Sequence, residues 1–158
     1  MRALSSLNRR DQWVDAAPFR AHVRHAVSVA DVPWQVLAVV SGVPLPAVRS
    51  LLFGRSGRPL PRIEPRLATR LLRVSGTHLQ ALSTLRVGAH DTSELLREAL
   101  VAGVEPLRLA RWCRLTPTEL ALLVDGEATA CSRLTEALAR AAHRRVCDGA
   151  EPMHRFAA

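Results

Sequence analysis

The chain has no lysine and no tyrosine, and only three tryptophans and three phenylalanines in 158 residues. With so few aromatics, and with Leu, Ala, Val and Arg dominating, the composition suits helices better than sheet. Cysteine is scarce too. Cys113, Cys131 and Cys147 are too few and too far apart for a disulfide framework. No apolar run approaches the roughly 18 residues of a membrane span, and the opening MRALSSLNRRDQW lacks the apolar core of a secretory signal. These absences predict a cytoplasmic protein with reduced thiols and no membrane partner. A glycine-rich phosphate loop, a nucleophile elbow and a carboxylate pair with a partner base are all missing. No enzyme activity and no cofactor are therefore expected. His143 and Cys147, four apart, would make a workable ligand pair, but Cys113 and Cys131 lack CxxC spacing and read as small buried hydrophobes. No metal site is expected.

Positive charge is abundant and unevenly placed. All 22 basic side chains are arginine, and the formal net charge is +8. Residues 1–80 hold twelve arginines against Asp11, Asp15, Asp31 and Glu64; residues 81–158 hold ten arginines against ten acids. The whole excess thus lies in the first half. A concentrated positive field favours a polyanion through counterion release.

The length allows one domain or two small ones. A first helix is predicted from about Ala16 to Ala30, capped by Asp15, with Phe19, Val23, Val27 and Ala30 as its apolar stripe. Asp31 is expected to cap a second helix, with Pro33 in its first turn, that ends at Gly42. A third runs from Pro44 or Leu45 to about Phe53-Gly54. Two glycines and two prolines then predict an irregular, flexible basic finger from Gly54 to Arg62. Glu64-Pro65 opens a helix to about Val74, closed by Ser75-Gly76. His22 and His25 read as surface histidines.

The segment Trp34–Gly54, WQVLAVVSGVPLPAVRSLLFG, carries the sharpest pattern. Ala38 stands where two helices nearly touch, Gly42 follows four residues later where the chain must turn with positive φ, and Val43 plugs the turn. Val48 and Leu51, with Leu52 beside them, form the buried side of the next helix. This order resembles the lambda-repressor-like, Cro/C1-type helix-turn-helix regulators of bacteria and phages. The match covers about twenty residues well, and the all-arginine composition suits a GC-rich, actinobacterium-like genome. The resemblance implies that the third helix enters the major groove with its outward first turns at base edges.

On that reading Leu45 packs on thymine methyls, Arg49 forks onto guanine, and Ser50 reaches a base or phosphate. Arg55, Arg58 and Arg62 of the finger follow phosphates or enter a narrow minor groove. Arg66, Arg70 and Arg73, at 4-3 spacing, line one helix face beside it. Six arginines in the nineteen residues from Arg55 to Arg73 face a single acid, Glu64.

The second half reads as a repeat of the first. With an offset of 72, Val23–Gly54 lies over Leu95–Gly126 without a gap, placing Ala38 on Ala110, Val48 on Leu120 and Leu51 on Leu123. Gly42 falls on Arg114, which puts a standard turn there in question. A five-residue deletion, which removes the finger, then lays Leu67 on Leu134 and Leu71 on Leu138.

The expectation is an all-α protein of two tandem helical units, the second a degenerate helix-turn-helix-like repeat. Its parts are a flexible basic arm (1–14), a helix-turn-helix DNA-binding unit (15–76), a linker (77–92), a second unit for dimerisation or partner docking (93–147) and a tail (148–158). The expected function is sequence-influenced binding of double-stranded DNA as a transcriptional regulator at the nucleoid. The alternative is an adaptor that docks on transcription machinery or another regulator. Leu115, Leu120, Leu122, Leu123 and Val124 are the apolar residues from which a homodimer or partner surface would be built.

Overall fold

The computed structural model describes residues 12–147, so most of the expected arm and all of the expected tail lie outside the described residues. The chain forms two compact, mostly helical units, with the boundary between Gln80 and Ala81. Unit 1 runs β1 (Val14–Asp15), α1 (Ala17–Ala30), α2 (Trp34–Ser41), α3 (Leu45–Phe53), β2 (Arg62–Ile63), α4 (Pro65–Leu72) and α5 (Gly76–Ala81). Unit 2 runs β3 (Arg86–Gly88), α6 (His90–Val101), α7 (Pro106–Trp112), α8 (Pro117–Val124), β4 (Ala130–Ser132) and α9 (Arg133–Cys147).

In unit 1, helix α1 begins where the Asp15 Oδ1 accepts from the Ala17 N–H at 3.0 Å. It ends at Asp31, whose φ of 50° is left-handed. Asp31 therefore closes α1 rather than capping α2, whose N-cap is Pro33. Asp tolerates this conformation because its short polar side chain can hydrogen-bond locally. Helix α2 stops at Gly42, with φ 68°, and the Val43 N–H reaches back to the Ala38 carbonyl at 3.0 Å. Ala38, Val43, Val48 and Leu51 are fully or almost fully buried, as the spacing predicts. Helix α4 packs on α1 and α2 and closes the core with Ala68 and Leu71. Gly76 does not end α4. It opens α5 and lies so close to α1 that an added Cβ would stand 2.8 Å from a Val29 methyl.

Unit 2 has the same order of strand, three helices, strand and helix. Each unit ties its two strands into an antiparallel pair: Val14 faces Ile63 and Asp15 faces Arg62, while Arg86–Gly88 pair with Ala130–Ser132. The Ala16 N–H donates to the Pro61 carbonyl at 3.0 Å, and the Ala89 N–H to the Thr129 carbonyl at 3.1 Å. Arg114, at the position of Gly42, takes φ 56°, and the Leu115 N–H reaches the Ala110 carbonyl at 2.9 Å. The turn forms here without a glycine.

The strands and two boundaries correct the sequence reading. The stretch 77–92, expected as a linker with a short helix over Thr77–Val87, holds a helix only to Ala81 (most of α5), then all of β3 and the first residues of α6. Leu79 and Leu82, three apart, and Ala89 are buried in it, but β3 takes its place by pairing with the distant β4, which no local spacing marks. The gapless offset of 72 also fails across the first helix of each unit. There the fully buried residues match at 73: Ala16 with Ala89, Val23 with Leu96 and Ala26 with Ala99. Asp31 and Gly103, the left-handed residues that follow, return to 72, so one residue is lost near the end of α6.

A left-handed conformation costs an L-residue roughly 1 kcal/mol. Arg114→Gly should therefore raise stability by about 0.5–1 kcal/mol, and Gly42→Ala should lower it by a similar amount. Urea unfolding of both variants checks this. A lower midpoint for Arg114→Gly would contradict it.

Candidate nucleic-acid interface

Helix α3 sorts its residues by spacing. Leu45, Val48, Leu51 and Leu52 are buried; Pro46, Arg49 and Phe53 are exposed; Ala47 and Ser50 are half-buried. Leu45 is thus unavailable to a thymine methyl. It stands three residues before Val48 and seven before Leu52, on the inner stripe of the helix. Phe53, 63% exposed, carries no spacing signal that marks it in the sequence; its ring meets Trp34 edge-on, with centroids 6.2 Å apart. The first turn of α3 carries no side-chain cap, and its N-cap is Pro44.

The expected irregular finger is a tight hairpin. Arg55 and Arg58 exchange backbone hydrogen bonds, each at 3.0 Å. Ser56 and Gly57 between them have φ values of 51° and 74°, the two positive values of a type I′ turn. Gly54 makes the hairpin possible. A Cβ there would lie 2.0 Å from the Arg58 carbonyl oxygen and 2.7 Å from its carbon. The Arg55 Nε lies 3.5 Å from the hydroxyl of Ser50 on α3. Arg55 and Arg58 are exposed.

Arg66, Arg70 and Arg73 are exposed on α4 and at its end. Arg70 donates to the Gly42 carbonyl at 3.1 Å, so its head lies at the turn that launches α3. Arg62 is exposed on β2, directly across from Asp15 in the strand register. The structure thus brings Ser50, Arg55 and Arg70 to α3 and its turn, keeps Arg49 exposed on α3, and turns Leu45 inward.

Two side chains that fix this surface, Arg20 and Arg24, escape the sequence reading. Arg20 donates to the carbonyls of Leu51 and Leu60, each at 2.7 Å, joining α3 to the chain that leaves the hairpin. Arg24 donates to the Leu52 carbonyl at 3.1 Å. In unit 2 Arg97 donates to the Val124 carbonyl at 2.6 Å. Arg24 and Arg97 match at the corrected offset of 73, and each guanidinium holds the C-terminal carbonyls of its unit's third helix, where the helix dipole favours a cation. His22 is not a surface histidine. Its Nε2 donates to the Val74 carbonyl at 3.0 Å and also faces the Leu71 carbonyl at 3.2 Å.

The matching face of unit 2 has a different chemistry. Thr116 and Glu119 form a capping box on α8: the Glu119 carboxylate accepts from the Thr116 N–H and hydroxyl, which holds its carboxyl below the usual range. That carboxylate stands at a helix start, where a phosphate would otherwise be attracted. Arg133 and Arg140 both pair with Glu136, at 2.7 and 2.9 Å, and His143 pairs with Glu98. The charge of Arg133 and Arg140 is thus partly offset by a neighbouring carboxylate, while Arg86 and Arg97 bond to carbonyls. In unit 1, Arg20, Arg24 and Arg70 bond to carbonyls, which leaves their charge uncancelled.

Cys113 is fully buried, and burial pushes its thiol up to about 12. Cys131 is buried and donates to the Thr92 hydroxyl at 3.4 Å, while exposed Cys147 lies 3.3 Å from His143. Among the described residues no group of three His, Cys, Asp or Glu side chains is placed to hold a metal ion, and no helix is long and apolar enough to cross a membrane. Comparison with known proteins gives no match: no family model, no curated protein and no solved structure matches this chain.

Gly54→Ala should cost at least about 1–3 kcal/mol through backbone overlap, read as a lowered thermal midpoint; a midpoint unchanged within error would contradict the packing described. For Cys113 the folded value is raised above the ordinary 9.0, so its contribution to stability is complete below pH 9.0 and lost as pH climbs towards 12. Urea midpoints should fall more steeply above pH 9 in the parent protein than in Cys113→Ala; identical profiles would contradict it.

Proposed function

We propose that this protein binds double-stranded DNA through unit 1, as a transcriptional regulator of the helix-turn-helix type, and that unit 2 is a related scaffold without a DNA surface. The observation that carries the reading is the set of exposed arginines around α3: Arg49 on the helix, Arg55 and Arg58 on the hairpin, Arg70 at the turn and Arg66 beside it. Helix α2, its left-handed turn and α3 serve as the motif, with α3 in the major groove. Arg49 reads guanine, because Pro44 and Pro46 offer no side-chain hydrogen bonds. Arg55, Arg58, Arg66, Arg70 and Arg73 meet phosphates or the adjoining groove. Mechanism is docking rather than chemistry, and the protein works at the nucleoid.

Unit 2 favours a protein partner or a second copy of the chain. Leu107 and Leu122 are exposed on its helices α7 and α8. Leu120 and Leu123, expected to join that surface, are buried core. Glu119 and Asp125 flank Leu122 where unit 1 carries Ala47 and Phe53, so a phosphate backbone would be repelled there.

Binding to short duplexes at several salt concentrations tests this reading. Affinity should fall steeply with salt. Arg66→Ala with Arg73→Ala should reduce the slope of log K against log salt by about 0.9 for each phosphate the variant no longer neutralises. Selection from random duplexes with Arg49→Ala should return a motif relaxed at one base pair, a loss of about 1–3 kcal/mol of discrimination. Retention of a protein partner with no salt-dependent DNA binding would favour the adaptor alternative.

A further inference from the structure

The Arg55–Arg58 hairpin is not required by the fold. Between Gly54 and Pro61 unit 1 has six residues; between the matching Gly126 and Thr129 unit 2 has two. Both units nevertheless close the same bond to the residue before their first helix, from Ala16 to Pro61 and from Ala89 to Thr129. The longer connection is also costly. Arg55 and Arg58 stand directly opposite each other as a hydrogen-bonded antiparallel pair. Side chains of such a pair share one side of the ribbon, and like charges so placed repel. Ser56 adds a left-handed backbone without glycine. A dispensable, cationic element that costs stability points to an anionic partner.

We propose that the Arg55 and Arg58 side chains of this hairpin enter the DNA minor groove and make A·T-rich duplex the preferred DNA of this protein. The inference rests on the DNA-binding reading of unit 1 and adds the groove and the sequence class. Helix α3 has nine residues, about 14 Å at 1.5 Å per residue, and the major groove is about 12 Å wide. With the first turn of α3 at base edges, the hairpin leaving its last residue stands past the bounding phosphates, where the minor groove opens. A groove about 6 Å wide is too narrow for the two-stranded ribbon itself, but the small tip residues Ser56 and Gly57 let the hairpin approach its mouth, and the exposed Arg55 and Arg58 side chains can reach in. A narrow A·T minor groove concentrates negative potential and draws guanidinium groups into it. Arginine suits this better than lysine because its head group is more weakly hydrated. The Arg20 bonds to Leu51 and Leu60 and the close approach at Gly54 hold the hairpin in place before DNA arrives, so little ordering is left to do on binding.

The test uses the full chain and three duplexes of equal length with identical flanks: an A·T core, a G·C core, and the same G·C core with inosine for guanine. Inosine keeps the major-groove pattern of guanine and lacks its minor-groove amino group, so it separates the two grooves. Fluorescence anisotropy at physiological salt should find the A·T and inosine duplexes bound roughly tenfold more tightly than the G·C duplex. The double variant R55K/R58K keeps the charge and the exposed positions, so it should keep salt-dependent binding but lose most of that difference. Equal binding to all three duplexes, an inosine duplex that behaves like G·C, or an undiminished preference in R55K/R58K would overturn the groove assignment while leaving the DNA-binding reading intact. Binding to none of the three would overturn the DNA-binding reading and the assignment with it.

Discussion

Both units hang on one bond. The amide after a left-handed residue reaches back over the end of the second helix, Val43 to Ala38 in unit 1 and Leu115 to Ala110 in unit 2. It satisfies a carbonyl that the helix end would leave orphaned and fixes the direction in which the third helix departs. An alanine at the accepting position lets that helix's neighbours approach closely; Ala38 and Ala110 are both buried. The second clamp, Arg24 or Arg97 on the last carbonyls of the third helix, holds the other end. With both ends fixed, the outer residues of the third helix can vary without moving the backbone.

That freedom separates the two halves. Along the third helix and at its end one scaffold carries Ala47, Arg49 and Phe53 where the other carries Glu119, Ala121 and Asp125, and the first adds a hairpin with two arginines where the second has a short connection. The charge imbalance comes from the acids, four in residues 1–80 against ten in residues 81–158, and the partners of several arginines sharpen it. Carbonyl acceptors position Arg20 and Arg70 in unit 1 without neutralising them, whereas in unit 2 the Glu136 carboxylate is shared by Arg133 and Arg140. On the proposed reading the first surface is for a polyanion and the second for a protein.

Much of the helical frame is legible from local chemistry. The end of α2 at Gly42, the span of α3, the buried stripe of Val48 and Leu51 and the exposed arginines all follow from spacing and turn residues. What escapes is non-local. Strands of two and three residues have no periodicity of their own; they exist because distant segments pair, as Val14 does with Ile63. The partners of Arg20, Arg24 and His22 are backbone carbonyls far along the chain, which no sequence pattern names. Leu45 departs from expectation for a geometric reason: being first in the helix does not make a residue outward. The hairpin reads as irregular when glycine and proline are taken only as breakers, whereas Gly54 and Gly57 are what a type I′ turn with a close backbone approach needs.

The most direct measurement is an amide-resolved NMR titration of the full chain with a short DNA duplex. The account predicts that chemical-shift changes concentrate in residues 45–58 and 66–73, which hold α3, the hairpin and the arginine face of α4, and that 117–125 stay unmoved. Changes centred on 117–125, or none anywhere at saturating duplex, would contradict it.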